Sequence, residues 1–247
     1  MSTPLAALAG ALLGAIVGSF LATLLIRWPR GESALGGRSR CDGCGATLAA
    51  RELVPLLSFV MARGRCRRCD APIDRRQPAM ELAAAGIGLV AALAHPLPLA
   101  LATAGFGWWL LILAALDVEH HWLPDALTLP LVPLGLAVAL AGLGPPLADR
   151  AIGLVAGWAV LAAIALAYRH WRGREGLGGG DPKLLAAIGA WLGWNLLPLV
   201  LLGAGLLGLV AALALRARGE PVGATTRLPL GALLALCAWP AWLVVAS

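Results

Sequence analysis

Eight apolar segments, at about 4–26, 79–94, 97–116, 126–143, 150–168, 182–196, 198–215 and 229–246, take up most of this chain as unbroken runs rich in Leu, Ala, Val and Gly. Runs approaching 20 apolar residues predict helices that cross a bilayer, at ~20 residues per span. They exclude a membrane β-barrel, whose strands alternate in polarity. With 60% hydrophobic residues, 13% charged residues and a mean hydropathy of +0.84, a soluble globular enzyme and a disordered chain are excluded too. The expected fold is an all-α polytopic membrane protein of about eight transmembrane helices in a lipid bilayer.

One polar stretch interrupts this pattern. Residues 27–78 hold 11 of the 19 Lys and Arg but 5 of the 13 Asp and Glu, a net +6 that leaves the rest of the chain neutral. A basic stretch beside spanning helices marks the cytoplasmic side, and no stacking motif points to a nucleic-acid partner. Three parts are therefore expected: a first transmembrane helix (1–26), a cytoplasmic domain (27–78) and a seven-helix membrane domain (79–247). No basic residue precedes the first apolar run, which reads as an uncleaved helix and not a signal peptide. Alternation then puts the loops at 117–125, 169–181 and 216–228 in the cytoplasm, with Arg169, Arg172, Arg174, Arg216, Arg218 and Arg227. Both termini and Arg150 fall on the opposite side.

Four of the five cysteines lie in the polar stretch as two pairs, Cys41-Asp42-Gly43-Cys44 and Cys66-Arg67-Arg68-Cys69. Two intervening residues let a turn aim both thiolates inward, and four thiolates suit a tetrahedral zinc ion. Disulfides are the alternative, but the cytoplasm is reducing. A segment of some fifty residues also buries little core, so a structural metal meets a physical need. Cys237, in the last apolar segment, reads as a small buried hydrophobe.

Two acids stand at the edges of apolar segments, where a carboxylate is costly. Asp117 ends the third segment and Asp181 precedes the sixth, both on the cytoplasmic side. Two carboxylates at equal depth can share one proton around a water, with one ionised to accept a proton and the other protonated to polarise a carbonyl. Such a dyad hydrolyses peptide bonds. Asp117 as a solvated helix end, and Asp181 as an N-cap ahead of Pro182, remain open from these residues alone. Asp125, after Leu123-Pro124, reads as an N-cap. Glu119, His120, His121 and His170 read as solvated loop residues. Gly178, Gly179 and Gly180 let an extended peptide approach the backbone beside Asp181, and Lys183 either tunes that charge or reaches headgroups.

Together these residues resemble the type IV prepilin peptidases, membrane aspartic proteases that process prepilins and the pseudopilins of type II secretion. The stretch from Asp117 to Leu123-Pro124-Asp125 fits the family's first pattern. Glu175-Gly176-Leu177-Gly178-Gly179-Gly180-Asp181-Pro182-Lys183 fits the second. Gly18-Ser19-Phe20-Leu21, Arg38-Ser39-Arg40-Cys41, Pro55-Leu56-Leu57-Ser58, Arg63-Gly64-Arg65-Cys66 and Arg227-Leu228-Pro229-Leu230-Gly231 look like further landmarks, in order along nearly the whole chain. The resemblance implies that Asp117 and Asp181 are the catalytic dyad, acting at the cytoplasmic face of the bacterial inner membrane. The substrates it implies are prepilins or pseudopilins whose leader ends in Gly before a hydrophobic helix. It also implies methylation of the new N-terminus with S-adenosylmethionine, and points to Glu52 and Gly64 for that step. Ala22, Leu53 and Gln77 depart from the family's usual Asn, Asn and Tyr. The rival class is a carrier with a zinc-stapled domain, in which the aspartates serve an ion path, but no internal repeat supports it.

Overall fold

The structure is a computed structural model that describes residues 3–34, 36–173, 176–220, 223 and 228–246. Arg174, Glu175 and Arg227, noted above, lie outside the described residues. Each of the eight apolar segments forms a helix: α1 (Thr3–Arg27), α3 (Arg76–Ala94), α4 (Leu99–His120), α5 (Asp125–Leu140), α6 (Leu147–Arg172), α7 (Gly180–Leu192), α8 (Leu197–Ala217) and α9 (Leu230–Val245). A five-residue helix, α2 (Leu57–Met61), lies in the polar stretch. Among the described residues there is no β-strand, only isolated bridges at Arg40–Thr47 and Arg65–Pro72.

Five of these helices, α1, α3, α4, α6 and α8, are long and apolar enough to cross a membrane. The expected count of about eight spans is not reached on that criterion. At 16, 13 and 16 residues, α5, α7 and α9 fall short of the ~20 residues a span needs. Leu199, Leu202, Leu206, Leu209 and Val210 of α8 stay exposed, an apolar face suited to lipid and not to water.

The chain divides into two compact units, Met1–Trp108 and Trp109–Ser247, the boundary falling inside α4. In the first unit α1 packs along α3 through small residues. A Cβ added at Gly14 would come within 2.2 Å of the Ala84 carbonyl oxygen, and one at Gly88 within 2.1 Å of that of Gly10. Only glycine lets the two backbones come this close, the usual basis of helix pairing in lipid, where hydrophobicity gives no drive between helices.

In the second unit α7 is the centre. It packs against α5, α6, α8 and α9, and every residue from Asp181 to Leu192 except Lys183 is buried. A helix that is apolar all round belongs inside its domain. Arg150, expected on the side opposite the cytoplasmic loops, is fully buried. Its guanidinium donates to the carbonyls of Pro145 (2.9 Å), Gly135 (2.6 Å) and Leu143 and lies 5.2 Å from the Trp242 ring centre, so its charge is compensated by carbonyl dipoles and an aromatic face.

Candidate active site

Asp117 occupies the last turn of α4, 6% exposed. Its Oδ2 accepts the Ala232 N–H at 2.9 Å, one of the N–H groups left without a helical partner at the start of α9. Asp181 lies in the first turn of α7, 8% exposed, and its Oδ2 accepts the Gly178 N–H at 3.1 Å. The N-cap position is Gly179, so Asp181 is not the helix cap. Both carboxylates stand at the ends of helices that close on Leu123.

Leu123 fills the space beside them. A Cβ at Gly180 would meet Leu123 Cβ at 2.7 Å, and one at Gly231 would meet Leu123 Cδ1 at 2.8 Å and Asp117 Oδ2 at 3.0 Å. The glycines of the second motif therefore differ in role. Gly180 makes room for Leu123, Gly178 faces the Asp181 carboxylate at 3.2 Å, and only Gly179 has nothing near its missing side chain.

Asp125 is not the cap of α5, a position held by Pro124. Its carboxylate instead accepts Lys183 Nζ at 2.6 and 2.8 Å, tying the first turn of α5 to that of α7. This pair escapes a reading of either motif alone, because its members stand 58 residues apart. The available signal is that each residue follows a candidate carboxylate within its own motif.

In the first unit the sulfur atoms of Cys41, Cys44, Cys66 and Cys69 all lie within 4.8 Å of one another, and all four cysteines are free. Cys41 Sγ and Cys69 Sγ are 3.8 Å apart, the edge of a tetrahedron with metal–sulfur bonds of ~2.3 Å. The cluster can hold a metal ion. The two halves repeat one turn: the Cys41 and Cys66 N–H groups donate to the carbonyls of Ala46 and Ala71, and their carbonyls accept from Gly45 and Asp70. Gly45 and Asp70 take matching left-handed conformations, φ 68° and 58°. The Arg68 N–H, first among several causes, lowers the Cys66 thiol to about 7. At Cys69 the Ala71 N–H acts downward, but the Cys44 sulfur, burial and the other sulfurs outweigh it and raise the thiol to about 12. Such mutual opposition among thiols is relieved when a cation is shared.

A cavity of about 190 Å³ opens beside this cluster, lined among others by Ser19, Arg27, Glu52, Phe59, Gln77 and Glu81. Glu52 Oε2 accepts the Ala49 N–H at 2.8 Å. Gly64 does not line the cavity; it stands behind Phe59, whose ring a Cβ would meet at 3.1 Å, with φ 70°. Glu81 carries its own signal in the sequence, an acid inside the apolar segment 79–94, which the nearby motifs overshadow.

Residues 104–213 match the model of the type IV leader peptidase family, and residues 12–95 match the bacterial peptidase A24 N-terminal domain. A Pseudomonas putida protein named prepilin leader peptidase/N-methyltransferase is 36% identical over 251 residues, covering 92% of this chain and 86% of its own. The chain belongs to the type IV leader peptidase family. Two other members of that family carry the same name. The one from Aeromonas salmonicida (strain A449) is 41% identical over 83% of this chain and 71% of its own length. That from Burkholderia pseudomallei (strain 1026b) is 45% identical over 80% of this chain. The chain spans 64% of the Burkholderia protein's length. The leader peptidase match takes in Asp117, Asp125, Asp181 and Lys183, and the N-terminal match takes in the four cysteines and the cavity. No solved structure matches the chain.

Proposed function

We propose that this protein is a membrane aspartic endopeptidase that removes the leader of type IV prepilins or type II secretion pseudopilins, cutting after Gly at the cytoplasmic face of the bacterial inner membrane. The observation that supports this reading is that two buried carboxylates, Asp117 at the end of α4 and Asp181 at the start of α7, are brought beside the same side chain, Leu123, which packs on Gly180 next to Asp181 and, with Asp117 Oδ2, on Gly231. One of the pair, ionised, takes a proton from water as its oxygen attacks the scissile carbonyl. The other, protonated, donates to the carbonyl oxygen; as the peptide bond breaks, the proton taken from water passes to the leaving amine and the second carboxyl recovers its own from the re-forming carbonyl. The proton is shared, so neither residue owns a fixed role. Gly179, flanked by Gly178 and Gly180, offers the extended leader an open backbone, and Lys183 holds the mouth of the site through Asp125.

The second activity is N-methylation of the new N-terminus, placed in the unit Met1–Trp108. S-adenosylmethionine supplies an electrophilic methyl on a sulfonium. The cavity beside the cysteines suits such a group, since it is lined by carboxylates for positive charge, by Arg27 and Arg40 for a carboxylate, and by the ring of Phe59. Glu52 attracts the cationic reactants, and Gly64 lets the turn behind Phe59 take its positive φ. Residues 27–78 form a cytoplasmic domain held by one structural zinc on Cys41, Cys44, Cys66 and Cys69, between the first transmembrane helix and the membrane domain. The test is to incubate the purified protein with a prepilin-like peptide and S-adenosylmethionine and read the product masses. Leader loss with an added methyl mass supports both activities, leader loss alone reduces the protein to a peptidase, and an intact peptide contradicts the reading.

A further inference from the structure

Glu81 belongs to neither the aspartate pair nor the cysteine cluster, yet it is 4% exposed within a candidate membrane span. A carboxylate so placed needs compensation. Its Oε1 accepts Gln77 Nε2 at 3.1 Å, and the same nitrogen donates to Ser19 Oγ of α1 at 3.0 Å. Its Oε2 accepts the backbone N–H of Leu56 at 2.7 Å, 25 residues back in the polar stretch.

Leu56 is an unusual residue to hold. It has φ 60° and ψ −48°, and the Leu57 N–H closes onto the Pro55 carbonyl at 2.6 Å. That is a γ-turn with positive φ, a strained form for any residue with a Cβ and more so for a bulky one. Strain of this kind persists only where the surroundings over-determine it. The short hydrogen bond from the Leu56 N–H to the buried Glu81 carboxyl oxygen, 2.7 Å, is one restraint that does so. The turn also has a consequence for the cavity. Leu53 before it, and Ser58 and Phe59 after it, all line the same cavity as Ser19, Gln77 and Glu81, and α2 begins at the next residue. Glu52 anchors the start of this segment at Ala49, and Glu81 anchors its end.

We propose that Glu81 is a positioning residue for methyl transfer, holding the strained turn at Leu56 so that Ser58 and Phe59 stand in the wall of the cofactor cavity. This role rests on the reading of that cavity as the S-adenosylmethionine site. Glu81 acts on the turn through the Leu56 N–H, so an acceptor oxygen is enough to hold the turn. Glu81→Gln keeps an acceptor, Glu81→Ala removes it, and Leu56→Pro removes the donor while fixing φ near −65°.

The experiment measures hydrogen exchange over residues 53–60, S-adenosylmethionine binding by titration, and methylated product mass, with leader cleavage as the check on folding. Glu81→Ala and Leu56→Pro are each expected to weaken cofactor binding about tenfold, the scale of one lost buried hydrogen bond. Glu81→Ala also raises exchange at Leu56, and both keep cleavage, while Glu81→Gln, which keeps the acceptor but loses a carboxylate of the cavity wall, keeps wild-type exchange at Leu56. If Glu81→Ala fails to fold, Leu56→Pro decides, since it removes the same bond from the loop side. Unchanged exchange and binding in Glu81→Ala and Leu56→Pro overturn the role, as does a Glu81→Gln protein whose exchange at Leu56 rises as much as that of Glu81→Ala. Wild-type protein that binds no S-adenosylmethionine overturns the cavity reading and this role with it; wild-type binding beside unaffected variants overturns this role alone.

Discussion

Lys183 holds Asp125 across 58 residues of sequence, its Nζ 2.6 and 2.8 Å from the two carboxylate oxygens. The bond joins the two motifs just beyond the residues proposed to do the chemistry. Both side chains are more than a third exposed, so water screens the pair and its worth is at most about 1 kcal/mol. Asp125→Asn is therefore expected to keep substantial cleavage, since its amide oxygen still accepts from Lys183. A loss as complete as that of an aspartate of the pair, measured by product mass, would give Asp125 a direct part in the reaction.

The glycines along α1 make a sharper structural prediction. Gly14→Val places a Cβ about where the Ala84 carbonyl stands, and backbone cannot give way as a flexible side chain can. Overpacking of this kind costs ~1–3 kcal/mol or more, so the variant is expected to melt well below wild type in detergent. Gly86→Ala, on α3 but with nothing within 4 Å of its added Cβ, is the control and is expected to melt at or slightly above wild type.

Metal analysis is expected to find one zinc per chain in protein purified without chelators. Changing any of Cys41, Cys44, Cys66 or Cys69 to Ser removes it, and Cys237→Ser does not. The ligands must be thiolates, so zinc is retained near neutral pH and released as acid protonates them. Cleavage should fall together with the protease resistance of residues 27–78. Two zincs per chain, or cleavage lost while that resistance persists, would contradict a structural metal.

Glu52→Ala and Gly64→Ser are expected to leave leader cleavage within a few-fold of wild type and to yield product without the methyl mass. They act differently. Glu52→Ala removes a carboxylate that lines the cavity, whereas Gly64→Ser strains a positive φ and presses on Phe59. Methylated product from both variants would move the reaction away from this cavity.

All eight apolar runs become helices because hydrophobic length is a local property, and the four cysteines meet because each pair carries its own turn. The boundaries are less local. α6 runs on to Arg172, four residues past its apolar run, because nothing stops the backbone until Gly173 takes a left-handed turn with φ 66°. α3 starts at Arg76, whose backbone N–H donates to Asp74 Oδ1 at 2.9 Å. What sequence spacing does not carry is partnership. That Asp125 answers Lys183, that Arg150 turns inward to carbonyls, and that Glu81 reaches Leu56 depend on which helices become neighbours. The shortness of α7, buried by its neighbours and not by lipid, belongs to the same class.

The most direct test of the account is the cleavage rate of Asp117→Asn and Asp181→Asn, each compared with wild type on one prepilin-like peptide by product mass, with zinc content and thermal unfolding as measures of folding. Both variants are expected to fold, to keep their zinc and to lose at least about a thousandfold in rate, because residues that act as a unit fail together. A folded variant of either that keeps more than a tenth of wild-type cleavage would contradict the claim that Asp117 and Asp181 form the catalytic pair.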